Sequence, residues 1–135
     1  MDKSSIITEL KNFMVEEGYA PNIDDDGDLV FKFEGRTYCL IVNDDDTMFY
    51  RLVFPNFWPI ESEDERANVE IASLAVCKDT KVAKVFAVRD NVWASIELFC
   101  HKPSSFTGVF RRSLGALQTA ANSFREKMNE MHTYS

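Results

Sequence analysis

"DLVFKFEGRTYCLIV", Asp28–Val42, decides the fold. Leu29, Phe31 and Phe33 alternate with Val30, Lys32 and Glu34, the period of two that a strand imposes by sending successive side chains to opposite faces. Glu34-Gly35 reads as a tight turn, after which Tyr38, Leu40 and Val42 resume an alternating apolar face. A β-hairpin follows. Downstream, "NDDDT" breaks the chain again before "MFYRLVF", where Met48, Tyr50, Leu52 and Phe54 share one side. The expectation is three antiparallel strands in a meander.

Helical spacing appears on both sides of this meander. Residues 4–17 place Ile6, Ile7, Leu10, Phe13 and Met14 on one stripe, and Gly18 ends the run. After the meander, "PNFWPI" reads as a stiff aromatic connector. Ser62 and Glu65 then form an S-x-x-E capping box, and Ala67, Ile71, Leu74 and Ala75, with the stem of Lys78, line the inner face of a second helix. "VAKVFAV" and "VWASIELFC" make a second hairpin, turned at Asp90-Asn91. The strongest periodic signal closes the chain: Phe106, Val109, Phe110, Leu114, Leu117, Ala121, Phe124 and Met128, with Ser104 or Ser105 as the N-cap of one long helix. The expected fold is a single two-layer α+β domain over residues 1–135, an antiparallel sheet of about five strands packed by helices in the order α-β-β-β-α-β-β-α.

The charge balance narrows the function classes. The chain has 135 residues, 15 basic and 22 acidic, for a net charge of −7. A sequence-independent nucleic-acid binder needs a basic footprint to displace counterions from phosphates, so nucleic acid is not an expected partner. No apolar run has the length of a signal peptide or a membrane span, so the expectation is a cytoplasmic protein with no membrane partner. In that compartment Cys39, Cys77 and Cys100 stay reduced, and no CxxC or Cys/His ligand spacing suggests zinc. All three are expected to pack as small hydrophobes.

The stretch Asp24–Asp28, four aspartates and a glycine, resembles a calcium loop at first sight. With Gly27 at the sixth position of an EF loop, Asn22, Asp24 and Asp26 fall on the first, third and fifth, but Phe33 occupies the twelfth, where a bidentate Glu belongs. An EF loop also exits into a helix, whereas this one exits into a strand. It therefore reads as an Asp/Gly turn. The hairpin brings Asp24–Asp28 and Asp44–Asp46 to the same end of the sheet, which leaves weak divalent-cation binding open beside a solvated acidic rim.

Catalytic signatures are missing. Cys100 and His101 are neighbours at a strand end and point to opposite faces, so they cannot pair as nucleophile and base. No phosphate-cradling glycine loop, dinucleotide fingerprint or nucleophile elbow occurs, and no cofactor is expected. The expectation is a non-enzyme. One surface feature stands out, "FPNFWPI", in which Phe57, Trp58 and Ile60 lie between prolines. These three are candidate partner-binding anchors; the alternative is that the segment folds over the sheet edge and caps the core.

The element order, together with "IITELKNFMVEEGY", "DGDLVFKFEGRTYCLIV" ahead of "FYRLVF", and "VFAVRDNVWASIELF" before a helix that begins at a Ser-Phe pair, resembles the YbjN-like family. That bacterial family is related in fold to the type III secretion chaperones. The resemblance implies helices on an antiparallel sheet, a small acidic cytosolic protein, a homodimer, and binding of an extended client segment, with no residue-level motif to transfer. Two readings stand: a non-enzymatic, chaperone-like or regulatory protein-binding module, and a small-ligand or divalent-metal-responsive sensor built on the aspartate-rich turns. A cysteine nucleophile is a third, more distant one.

Overall fold

A computed structural model describes residues 1–134, with side chains described to residue 132. Helix α1, Lys3–Glu16, is capped by Asp2, whose carboxylate accepts from the Ser5 N–H at 2.8 Å. It ends in a Schellman turn, with Gly18 at φ +93° and the Tyr19 N–H donating to the Met14 carbonyl. Ile6, Ile7, Leu10 and Met14 are buried along it, as their spacing implies.

Six strands follow in one antiparallel sheet: β1 (Asn22–Ile23), β2 (Leu29–Phe33), β3 (Arg36–Val42), β4 (Phe49–Pro59), β5 (Ala83–Val88) and β6 (Asn91–Phe99), in the spatial order β1-β2-β3-β4-β6-β5. The sixth strand, absent from the sequence reading, is β1, where Asn22 and Ile23 fold back on Val30 and Leu29 across the aspartate turn. The deciding hairpin has the register Phe33↔Arg36, with Glu34 (φ +52°) and Gly35 (φ +78°) as its two turn residues. Both φ values are positive, as a turn matching the strands' right-handed twist requires. The second hairpin closes at Val88↔Asn91, so its turn is Arg89-Asp90, one residue earlier than expected.

Pairing register puts Leu29, Phe31, Tyr38, Leu40, Val42, Tyr50, Leu52, Phe54, Ala94 and Ile96 on the sheet face that the helices cover. Helix α2 (Glu63–Asp79) and helix α4 (Phe110–Tyr134) supply the second layer, with Phe110, Leu114, Leu117, Ala121, Phe124 and Met128 of α4 buried. The single long C-terminal helix of the sequence reading is divided. A short α3, Pro103–Thr107, is followed by a tightened turn at Gly108, where the Val109 N–H donates to Phe106 rather than one residue further back. Lys102, not Ser104 or Ser105, is the residue that precedes α3.

Candidate interaction surfaces

The aromatic stretch is not a connector. β4 continues through Pro55 to Pro59, and its ladder with β6 slips between Phe54↔Ala94 and Trp58↔Val92. The extra residues form a bulge, with Asn56 at φ +53° and its side-chain oxygen accepting from Trp93 Nε1 at 2.9 Å. A bulge removes ladder hydrogen bonds at the residues it contains, which is how the strand tolerates Pro55, while Pro59 is the strand's last residue. Beyond it, Phe57 stacks on Phe54, with 5.1 Å between centroids, and meets the edge of Phe124. Trp58 also packs on Phe124, and its Nε1 donates to Glu65 Oε1 at 2.9 Å. Phe57 and Trp58 are half-buried and Ile60 is buried. Only strips of the first two therefore face outward.

Glu65 has three roles at the start of α2. Its N–H donates to the N-cap Ser62 Oγ at 3.1 Å, its Oε2 accepts from the Glu61 N–H at 3.1 Å, and its Oε1 holds Trp58. The expected capping box thus forms with its return bond one residue displaced.

The aspartate turns do meet at one end of the sheet. Asp24 Oδ1 accepts from the N–H groups of Asp26 and Asp28, and Asp28 Oδ1 accepts from the Val42 N–H at 3.2 Å. Lys3 sits between the runs, 3.0 Å from Asp28 Oδ1 and 3.9 Å from Asp44 Oδ2, and it also donates to the Asp26 carbonyl at 3.0 Å. The ammonium of Lys3 thus fastens α1 to both loops. Among the described residues no three His, Cys, Asp or Glu side chains are arranged to hold a metal.

Helix α2 departs furthest from expectation. Its inner face is Val69, Ala72, Ser73 and Val76, while Ile71 and Leu74, assigned inward by their spacing, are 61% and 75% exposed. Ala67 and Lys78 lie on the same outer stripe and are also exposed. "ANVEIASLAVC" carries apolar residues on two faces of a helix. The choice between them depends on how α2 lies against α4 and β5, which periodicity does not contain. Large apolar residues exposed side by side are the more informative observation.

The cysteines divide. Cys100 is buried, Cys39 is half-buried, and Cys77, contrary to expectation, is largely exposed, with its sulfur accepting from the Val85 N–H at 3.3 Å on the edge of β5. Burial pushes the Cys100 and Cys39 thiols up, and at Cys39 the charges of Asp24 and Asp28 push the same way. Nothing near either favours a thiolate.

No protein-family model matches the chain, and no curated protein sequence matches it. Comparison of structures does find relatives of the fold, which is the YbjN-like, chaperone-like one: an open antiparallel sheet layered with helices. The chain is similar to YbjN, a candidate transcription regulator from E. coli, at a TM-score of 0.61 with 12% identity, over 85% of this chain and 87% of that one. It is also similar to a chain of the HopA1–SchA chaperone–effector complex, at a TM-score of 0.65 with 12% identity, over 93% of this chain and 98% of that one. No helix among the described residues is long and apolar enough to cross a membrane.

Proposed function

We propose that this protein is a non-enzymatic binding module that works in the cytoplasm as a two-fold homodimer and holds a segment of a client protein. The observation that carries the reading is the bare outer stripe of α2, with Ile71 and Leu74 at 61% and 75% exposure. A second copy of the chain suits that stripe. Glu63, Asp64 and Glu70 lie in the first half of α2, and Lys78 lies in its last turn. Antiparallel pairing of two such helices puts acidic residues against basic ones while Ile71 and Leu74 meet near the axis, the self-complementary arrangement that a two-fold contact demands. The outward strips of Phe57 and Trp58, beside the buried Ile60, are a second exposed aromatic contact on the same domain.

Likeness to a chain of a chaperone–effector complex supports the reading. The aspartate turns are the weaker candidate, because the Lys3 ammonium already lies between Asp28 and Asp44 where the two runs meet. The test is the mass of the variant Ile71→Asp/Leu74→Asp by light scattering. Both sites are exposed, so the fold should survive. The native chain should run at twice its 15.5 kDa and the variant at 15.5 kDa. A native protein that is a monomer, or a variant that stays dimeric, overturns the assignment.

A further inference from the structure

The second hairpin has unequal arms. β5 begins at Ala83, opposite Ile96, whereas β6 runs on to Phe99. On its other side β6 stays fully paired, with Glu97 opposite Arg51, Leu98 opposite Tyr50 and Phe99 opposite Phe49. Three residues of β6 thus have a strand neighbour on one side only. β5 fails to reach them because the chain turns away just before it. Val82 sits at φ +54°, and the Ala83 N–H donates to the Lys81 carbonyl at 2.7 Å. A left-handed φ is a true outlier for a β-branched residue, and Val82 is exposed as well, so no burial repays the strain.

Beneath this one-sided strand end lies an apolar cavity of about 270 Å³, walled by Ile96 and Leu98 of β6, by Val109 in the turn before α4 and by Ala116 of α4. Lys81 and Arg112 stand at its mouth. Neither takes part in an ion pair among the described residues, although the whole chain is acidic at −7. On the opposite face of the same strand end Phe99 is 76% exposed.

We propose that this corner is the client site. An extended client segment pairs with β6 at Glu97–Phe99 in the place that β5 vacates. Alternation along a strand fixes the chemistry of the segment. Its residue opposite Leu98 points into the cavity and is aliphatic. A residue two places away emerges on the same side, at the mouth, and is Asp or Glu, paired with Lys81 or Arg112. Residues between them point to the other face, which carries both Phe99 and the carboxylate of Glu97, so they are apolar or neutral rather than acidic. The site rests on the binding-module reading and names the client's chemistry. It leaves the α2 contact untouched.

The experiment selects displayed random dodecapeptides on the native protein and synthesises a recovered one. Expected sequences pair an aliphatic residue with an acidic one two positions away. Binding falls about tenfold in Ala116→Trp, which fills the cavity, and roughly threefold in Arg112→Glu, an exposed site that leaves the fold intact. Amide resonances of Leu98, Phe99 and Val109 shift on titration, and the mass of both variants by light scattering stays that of the native protein. The proposal is overturned if no peptide is enriched, if the recovered peptides are basic, or if they bind both variants as well as the native chain. A mass that falls in Ala116→Trp also overturns it, because a second copy then occupies the cavity. Loss of the dimer in Ile71→Asp/Leu74→Asp with peptide binding unchanged separates this site from the α2 contact.

Discussion

Tyr50 gives the sharpest test of the core. Its ring is fully buried on β4, 5.6 Å from that of Phe106, and its hydroxyl has no hydrogen-bond partner among the described residues. Tyr50→Phe removes the hydroxyl and keeps the ring. An unpaired buried hydroxyl costs roughly 1–3 kcal/mol, so the variant should be more stable by about 1 kcal/mol at neutral pH. Burial also pushes the phenol up from 10.0 to about 12. A raised acid favours the folded state while it stays protonated, so its contribution is complete below pH 10 and is lost as pH rises through 12. The whole shift of about two units is worth roughly 3 kcal/mol, and about half of that is gone at pH 11. Urea denaturation of both proteins at pH 7 and pH 11 measures the gap, which should roughly double, from about 1 kcal/mol to 2 or more. Other tyrosines and lysines titrate too, but they cancel in the difference. A variant less stable than the native chain at neutral pH, or a gap that does not widen, refutes the reasoning.

Val82→Gly should raise stability by roughly 0.5–1 kcal/mol, because relief of the left-handed strain outweighs the extra freedom of the unfolded chain; a lowered melting temperature would count against strain at that turn. Trp58→Phe keeps the ring on Phe124 but leaves Glu65 without its indole donor, a loss of about 1 kcal/mol readable by calorimetry. Trp58→Ala, which also loses the packing on Phe124, should cost about 2–3 kcal/mol, and an effect no larger than that of Phe would show that the ring contributes no packing. Glu97 is held below its ordinary value: desolvation opposes the shift, but hydrogen bonds from Lys84 and Ser95 outweigh it. Its contribution is present above pH 4.5 and lost as pH falls below that, so Glu97→Gln should flatten the acid limb of the stability curve. An unchanged acid limb would contradict the network.

The sequence was most informative where local rules act alone. Glu34-Gly35 between alternating apolar runs specifies the turn and the inward faces of β2 and β3, because turn chemistry and strand period agree there. α1 and its glycine stop were equally plain. Prolines at 55 and 59 hid the continuation of β4, since its bulge depends on a partner thirty-seven residues away, Trp93 bonded to Asn56. At Val88–Asn91 the turn takes Arg89 at φ +55°, a residue without the turn preference that pointed to Asp90-Asn91. The candidate surfaces were the least legible. Ile71 and Leu74 look like core residues by spacing, and only the placement of α2 on Val69, Ala72 and Val76 makes them bare. The β6 overhang arises from where β5 stops, which no pattern within β6 marks.

The central claim is an antiparallel pairing of α2 across a two-fold axis, and a distance measures it most directly. A spin label at Glu63→Cys, with Cys39 and Cys77 replaced by Ser, reports its separation from its own copy by dipolar spectroscopy. Glu63 lies nine to ten residues from an axis between Ile71 and Leu74, so at 1.5 Å rise and about 9 Å between helices the two labels should sit roughly 30 Å apart. A single distance near that value is the expected result. No dipolar coupling at all, or a separation near 10 Å as parallel helices would give, contradicts the account.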